Sequence, residues 1–286
     1  MNLVKLVTHC KQFKAMHVNE PPLILPNAWD AMSAKLLQQC GFQAIGTTSA
    51  GIAASLGYTD GEHIPMDEML DAISRITAAV QVPVSADLEA GYGCTPQSIG
   101  QLVEMVAAAG AAGINVEDGA GLNRRELLNA DYQASRIAAI RDAVRSLGLP
   151  LFINARVDTY WYGIGSEKWR LTETLRRAEA YRQAGADGLF VPGLTDLATI
   201  RSLIEGTQLP LNVLAGPSLP SISALAKAGV ARVSTGSAPF RAAMTALRDF
   251  GNELAQLGTC SALSQETMIG FHVMNALMSK GGRDDD

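Results

Sequence analysis

Two kinds of strand opening alternate along this 286-residue chain, and together they restrict its fold more than any other feature. In the first kind a helical stretch ends in a small residue and glycine: Cys40-Gly41, Ala109-Gly110, Ala184-Gly185 and Ala228-Gly229. Such a glycine takes the left-handed position that closes a helix. An apolar strand follows each pair, over 44–48, 113–117, 188–191 and 231–235. In the second kind proline stands between two apolar residues: Val82-Pro83-Val84, Leu149-Pro150-Leu151 and Leu209-Pro210-Leu211. Proline is tolerated where a strand begins, and strands over 84–87, 151–155 and 211–214 follow. Residues 23–27 supply the first strand, which makes eight. Helical patterns fill the gaps at 31–40, 66–80, 96–109, 132–147, 167–184, 195–205, 218–228 and 239–257. Strands alternating with helices call for parallel pairing and right-handed crossovers. Eight such units in one domain, 1–286, predict a closed parallel (β/α)8 barrel. A doubly wound open sheet is the other α/β solution, but the chain has no GxGxxG or GxxxxGK[ST] loop. Outside the ring, the expectation is an N-terminal helix within 1–20, a C-terminal helix within 262–280 that caps the barrel or docks on a second subunit, and a frayed tail at 281–286.

Barrel chemistry sits at the C-terminal ends of the strands. The third strand ends Ala86-Asp-Leu-Glu89, and residues i and i+2 of a strand share a side, so Asp87 and Glu89 are expected to converge. Two carboxylates that close repel unless a proton or cation lies between them. Glu117 ends the fourth strand and Asp60 lies in the loop after the second, which gathers four acids at one half of the mouth. Oxygen donors without His or Cys select Mg²⁺, with Mn²⁺ or Ca²⁺ as alternatives. Arg156 ends the fifth strand, and a planar guanidinium beside a metal suits a carboxylate substrate. A structural ion pair with Asp158 or Glu117 is the plainer reading of Arg156. Arg156, Glu117 and Asp60 are the candidates for catalysis, and Asp87, Glu89, Glu117 and Asp60 for the metal. Ser49, Ala50 and Gly51 offer backbone N–H groups to a substrate oxygen, or simply start a helix. Trp29, Tyr92 and Asn212 complete the candidate substrate contacts, though packing alone would explain both aromatics. His63 fits a base or a surface turn, and Cys94 a nucleophile or an inert thiol.

Composition removes several classes of function. A net charge of −5 with no basic cluster argues against nucleic acid. No run of about 18 apolar residues predicts a membrane span. The first 17 residues lack the compact apolar core of a secretory signal. The four cysteines are scattered without a CxxC pair, which points to a reducing, cytoplasmic setting.

Six motifs, taken together, carry a resemblance. They are Asn27-Ala-Trp-Asp-Ala31, Thr47-Thr-Ser-Ala-Gly51, Gly57-Tyr-Thr-Asp60, Ala86-Asp-Leu-Glu-Ala-Gly-Tyr-Gly93, Val116-Glu-Asp118 and Asn154-Ala-Arg156. Through them the chain resembles the isocitrate lyase / phosphoenolpyruvate mutase superfamily from about residue 25 to about residue 236. The resemblance implies an α/β barrel that binds Mg²⁺ and a small 2-oxo acid or its enolate. It implies homodimers or homotetramers with a swapped last helix, which would give 264–280 a purpose. It gives Asp87 the direct metal contact, Glu89, Glu117 and Asp60 the metal's waters, Ser49 to Gly51 the carboxylate cradle, and Arg156 the cation over the substrate. The implied reaction breaks a C–C bond in a small 2-hydroxy or 2-oxo carboxylate, as isocitrate lyases, methylisocitrate lyases and oxaloacetate decarboxylases do. P–C chemistry of the mutase or phosphonopyruvate-hydrolase type is the alternative, and a non-catalytic metabolite-binding barrel a third. Two departures stand out. The Lys-Lys-Cys-Gly-His segment of the lyases is absent. So is the lysine of the phosphonate enzymes after the strand-four Glu-Asp, where Asn123, Arg124 and Arg125 are the polar residues instead.

Overall fold

The computed structural model describes residues 3–18, 20–119, 126–263 and 268–279. Its chain runs α1 (Leu3–Ala15), β1 (Leu23–Leu25), β2 (Asn27–Ala28), α2 (Ala31–Gln39), β3 (Ile45–Thr47), α3 (Ser49–Ser55), α4 (Met66–Ala79) and β4 (Val84–Asp87). It continues with α5 (Ile99–Ala108), β5 (Gly113–Glu117), α6 (Ala130–Ser146), β6 (Phe152–Arg156), α7 (Glu167–Gln183), β7 (Gly188–Phe190) and α8 (Leu197–Gly206). Last come β8 (Leu211–Leu214), α9 (Ile222–Ala228), β9 (Arg232–Ser234), α10 (Ala238–Leu257) and α11 (Phe271–Ser279). All strand pairs of the sheet are parallel, in the order β1-β9-β8-β7-β6-β5-β4-β3-β2.

Nine segments replace the expected eight because Pro26 divides the first strand. Proline has no N–H for the ladder, so β1 pairs with β9 on one side and β2 with β3 on the other. The Pro26 carbonyl still accepts from Gly46 N–H at 2.9 Å. The two ends of the sheet are therefore neighbours in the chain, and the ring is closed. Asn27 clasps this seam. Its Oδ1 accepts from the N–H groups of Thr235 and Gly236, both at 2.9 Å, and its Nδ2 donates to Thr47 O at 2.7 Å.

The core is continuous and aliphatic, with residues such as Ile45, Ile73, Ile114, Val144 and Leu189 fully buried. Each such side chain removed from water is worth about 1.5–3 kcal/mol. α1 plugs the N-terminal end. Phe13 meets the Phe152 ring edge-on at 5.6 Å, and a Cβ on Gly113 would lie 2.7 Å from Phe13. His17 stacks on Phe152 at 4.0 Å, and burial followed by the charge of Arg232 holds its imidazole down at about 3, hence neutral.

Two expectations outside the ring change. The C-terminal helix begins at Phe271 rather than 264, since residues 268–270 are not helical, and residues 264–267 and 280 lie outside the described set with the tail 281–286. α11 rests on α2, where Lys35 Nζ donates to the Leu277 and Met278 carbonyls at 2.7 and 3.2 Å, satisfying the helix's last turn. The helix that stands off the barrel is α10. No residue of its 20 is buried, although Met244, Leu247, Leu254 and Leu257 give it an exposed apolar face.

Candidate active site

The strand ends open into a cavity of about 150 Å³. Asp60, Asp87, Glu89 and Glu117 all line it, as does Arg156. Glu62, which the sequence reading passed over, adds a fifth carboxylate. Among the lining residues described, Arg156 is the one cation, so five acids face one guanidinium.

Local structure explains how each acid arrives. Asp87 is the last residue of β4, and its amide donates to Thr47 Oγ1 at 2.9 Å. Its Oδ2 accepts from both the hydroxyl and the N–H of Ser49, at 2.9 and 3.3 Å. Glu89 reaches the same space by a route other than strand alternation. The strand has ended, and Glu89 turns in a left-handed conformation with φ of 50°, strained for a residue with a side chain. The turn aims its carboxylate across to the Asp60 loop, where Oε2 accepts from Gly61 and Glu62 N–H at 2.9 and 2.7 Å. Glu62 (φ 63°) returns the tie through its carboxylate, which accepts from the N–H of Tyr92 (φ 55°).

The electrostatics follow from burying like charges together. Burial, then Asp87 and Asp60, push the Glu89 carboxyl up to about 8. Burial followed by Asp87 raises Asp60, and burial raises Glu62. Burial also raises Glu117 well above the usual range, against the pull of Arg156. Arg156 is itself disfavoured by burial, but Asp158, Glu117 and Asp87 hold it firmly charged. It meets Glu117 through Nη1 at 2.6 Å and Asp158 through Nε at 2.7 Å. The plainer reading of Arg156 is thus seen directly, as an ion pair with both Glu117 and Asp158, and the same guanidinium also lines the cavity.

Behind Arg156 runs a relay that the sequence did not reveal. Asp158 N–H donates to Asp118 Oδ1 at 3.0 Å, and Asp118 Oδ2 accepts from Arg177 and Tyr181 at 2.8 and 2.7 Å. Arg177 in turn meets Glu173 at 2.8 Å. Asp118 and Arg177 are 59 residues apart, so no local pattern could announce the pair. The opposite wall was also missed: Trp161, Tyr162, Phe190, Pro192 and Leu214.

The remaining candidates divide. Ser49 and Ala50 line the cavity in the first turn of α3, so the helix start, one of the two readings of this stretch, is what the structure shows. Gly51 does not. Its N–H goes to the Thr48 side chain at 3.4 Å, and a Cβ there would lie 2.7 Å from Thr48 and 3.1 Å from Trp29. Trp29 packs edge-on to Phe240 at 5.4 Å instead of facing the cavity. Tyr92 lies outside the lining, with its hydroxyl 3.5 Å from Glu89. Asn212 is buried beneath the floor, where its Oδ1 accepts from Ser234 at 3.3 Å. His63 is a surface residue whose Nδ1 lies 2.9 Å from Asp60 O. Cys94 is half-buried and outside the lining. Asn123, Arg124 and Arg125 lie outside the described residues.

A divalent cation fits this donor set. No three His, Cys, Asp or Glu side chains among the described residues enclose a metal by themselves. Mg²⁺ requires less, because it keeps several waters and takes one or two carboxylates directly. The surplus of acids over cations, and the raised Glu89 and Glu117, are what such an ion relieves.

Comparison with known proteins gives one consistent answer. A family model described as phosphoenolpyruvate phosphomutase matches residues 13–255. The 2-methylisocitrate lyase of Escherichia coli (strain K12) is 32% identical over 261 residues, covering 87% of this chain and 85% of the enzyme. A solved protein from Burkholderia cenocepacia J2315 superposes with a TM-score of 0.88 at 38% identity, covering 96% of both chains. The structure of 2,3-dimethylmalate lyase, a member of the phosphoenolpyruvate mutase/isocitrate lyase superfamily, superposes with a TM-score of 0.80 at 26% identity and 95% coverage of each.

Proposed function

The chain belongs to the isocitrate lyase / phosphoenolpyruvate mutase superfamily, and from that premise we propose that it is a Mg²⁺-dependent lyase acting on a small 2-hydroxy or 2-oxo carboxylate. The observation that supports this best is that, among the described lining residues, five carboxylates face one guanidinium, that of Arg156. Asp87 would hold the ion directly, and Glu89, Glu117 and Asp60 would hold it through its waters. Bound Mg²⁺ supplies a Lewis-acid charge for the oxygen that becomes anionic as the C–C bond breaks. Arg156 meets the same charge from the other side, aimed by Glu117 and Asp158 so that little reorganisation is needed. Ala50 lines the cavity and offers its N–H to the substrate carboxylate, while the N–H and hydroxyl of Ser49 hold Asp87 in place.

A panel of 2-hydroxy and 2-oxo acids, assayed with Mg²⁺ and after complete chelation, tests the proposal; activity that survives chelation would overturn the metal's part in it. Phosphorus NMR on phosphonopyruvate is the control, and turnover there would overturn the carbon–carbon reading. We further propose that α10, rather than α11, is the helix exchanged between subunits. Neither α10 nor α11 has a buried residue, but α11 is tied to α2 through Lys35, whereas the 20-residue amphipathic α10 lacks the packing that normally stabilises such a helix. Light scattering should show a dimer or tetramer that Leu247→Asp dissociates. No helix among the described residues is long and apolar enough to cross a membrane.

A further inference from the structure

We infer that the substrate carries a single carboxylate, on its 2-oxo or 2-hydroxy head, and an uncharged apolar remainder that lies against Trp161, Phe190, Pro192 and Leu214. This rests on the lyase reading above and narrows its substrate. Three observations carry it.

The first is the chemistry of that wall. β4 and β5 deliver Asp87 and Glu117 to the mouth, whereas β7 and β8 deliver Phe190 and Leu214 at the corresponding strand ends. Pro192 and Trp161 continue the surface, and Tyr162 adds a ring with a hydroxyl to the same wall. The Arg156 Cζ lies 5.9 Å from the Trp161 ring and 5.8 Å from the Phe190 ring, so two aromatic faces screen the guanidinium on this side. A carboxylate placed on the carbons of Phe190, Pro192 and Leu214 loses its water there, and those three side chains carry no donor to replace it.

The second is the state of the polar groups nearby. Thr235 and Gly236 N–H are both committed to Asn27 Oδ1 at 2.9 Å, and Ala238 N–H to Thr235 O at 3.2 Å. Pro239 has no N–H to give. The Ser234 hydroxyl donates to Asn212 at 3.3 Å. Ser237, which makes no side-chain cap, contributes a hydroxyl and no charge.

The third is charge. Arg156 already meets Glu117 and Asp158, and a divalent ion added to five acids and one guanidinium leaves the described lining formally two charges negative. The head carboxylate has Arg156 and the added divalent ion to meet it. Among the described lining residues a second carboxylate finds no cation other than Arg156, and it adds repulsion. An alkyl group instead gains roughly fourfold in affinity for each methylene it buries.

The test uses two ligands with one head. N-Propyl oxamate and N-oxalylglycine share the oxamate group, but one ends in an alkyl chain and the other in a carboxylate. Calorimetry on the Mg²⁺-loaded protein, with oxalate alongside, should show N-propyl oxamate binding at least tenfold more tightly than N-oxalylglycine. Leu214→Ser should narrow that ratio. Equal or tighter binding of N-oxalylglycine, with oxalate bound, would overturn the inference and leave the lyase reading standing. Failure of oxalate to bind at all would overturn both.

Discussion

The two halves of the barrel mouth stand on the same scaffold and obey opposite physics. On one side β4, β5 and the Asp60 loop crowd acids that raise one another's affinity for protons. On the other, β7 and β8 present Phe190 and Leu214, which need nothing to neutralise them. The acid half is thus relieved by protons or by an added cation, whereas the apolar half needs neither. The difference teaches where this fold stores its unfavourable energy: in the loops that turn Glu89, Glu62 and Tyr92 into positive φ, within one rim.

The strongest way to break the contrast is Asp87→Asn. It should abolish measurable Mg²⁺ heat in calorimetry and lower kcat by about a thousandfold, while raising the melting temperature of the metal-free protein. Retained Mg²⁺ affinity would mean that the acids do not share one ion. Arg156→Lys comes next. Lysine keeps the charge but cannot reach Glu117 and Asp158 together, so kcat/KM should fall by about a hundredfold in steady-state assays.

A pH series separates the halves without mutation. The folded Glu89 binds its proton up to about 8, well above an unfolded carboxyl. Between those values the native state holds more protons than the unfolded one, so stability falls as pH rises through this window. The metal-free protein should melt several degrees lower at pH 8 than at pH 5. Saturating Mg²⁺ or Glu89→Gln should flatten the slope, and a metal-free profile that rises would refute the assignment. The smallest effect belongs to the apolar side. Phe190→Leu should cost about 1–2 kcal/mol by thermal melting and leave Mg²⁺ affinity within about twofold, because no acid touches that ring.

The fold was legible because glycine and proline punctuate it: each strand opening read from a Gly or a Pro became a strand of the ring. Pro26 was legible as a residue and not as a consequence, since only the pairing of β1 and β2 with different neighbours shows the strand divided. The acids were found because carboxylates at apolar strand ends are conspicuous. Glu89 came to the right place by a left-handed turn in place of strand alternation, a backbone state that sequence reveals poorly for Glu. Phe190 and Leu214 escaped notice for the opposite reason. An apolar residue ending a strand looks the same whether it faces the core or a ligand, and nothing in a string of letters separates the two.

Asn27 remains, one buried amide to which both ends of the sheet are tied. A cylinder made of a single continuous ladder has no weakest rung, but this one has a buckle. Thr235 and Gly236 hang their amides on that buckle, so the joint between first and last strands is where the hoop would spring open. Slow proton exchange at those two amides would therefore measure how often the whole ring comes undone.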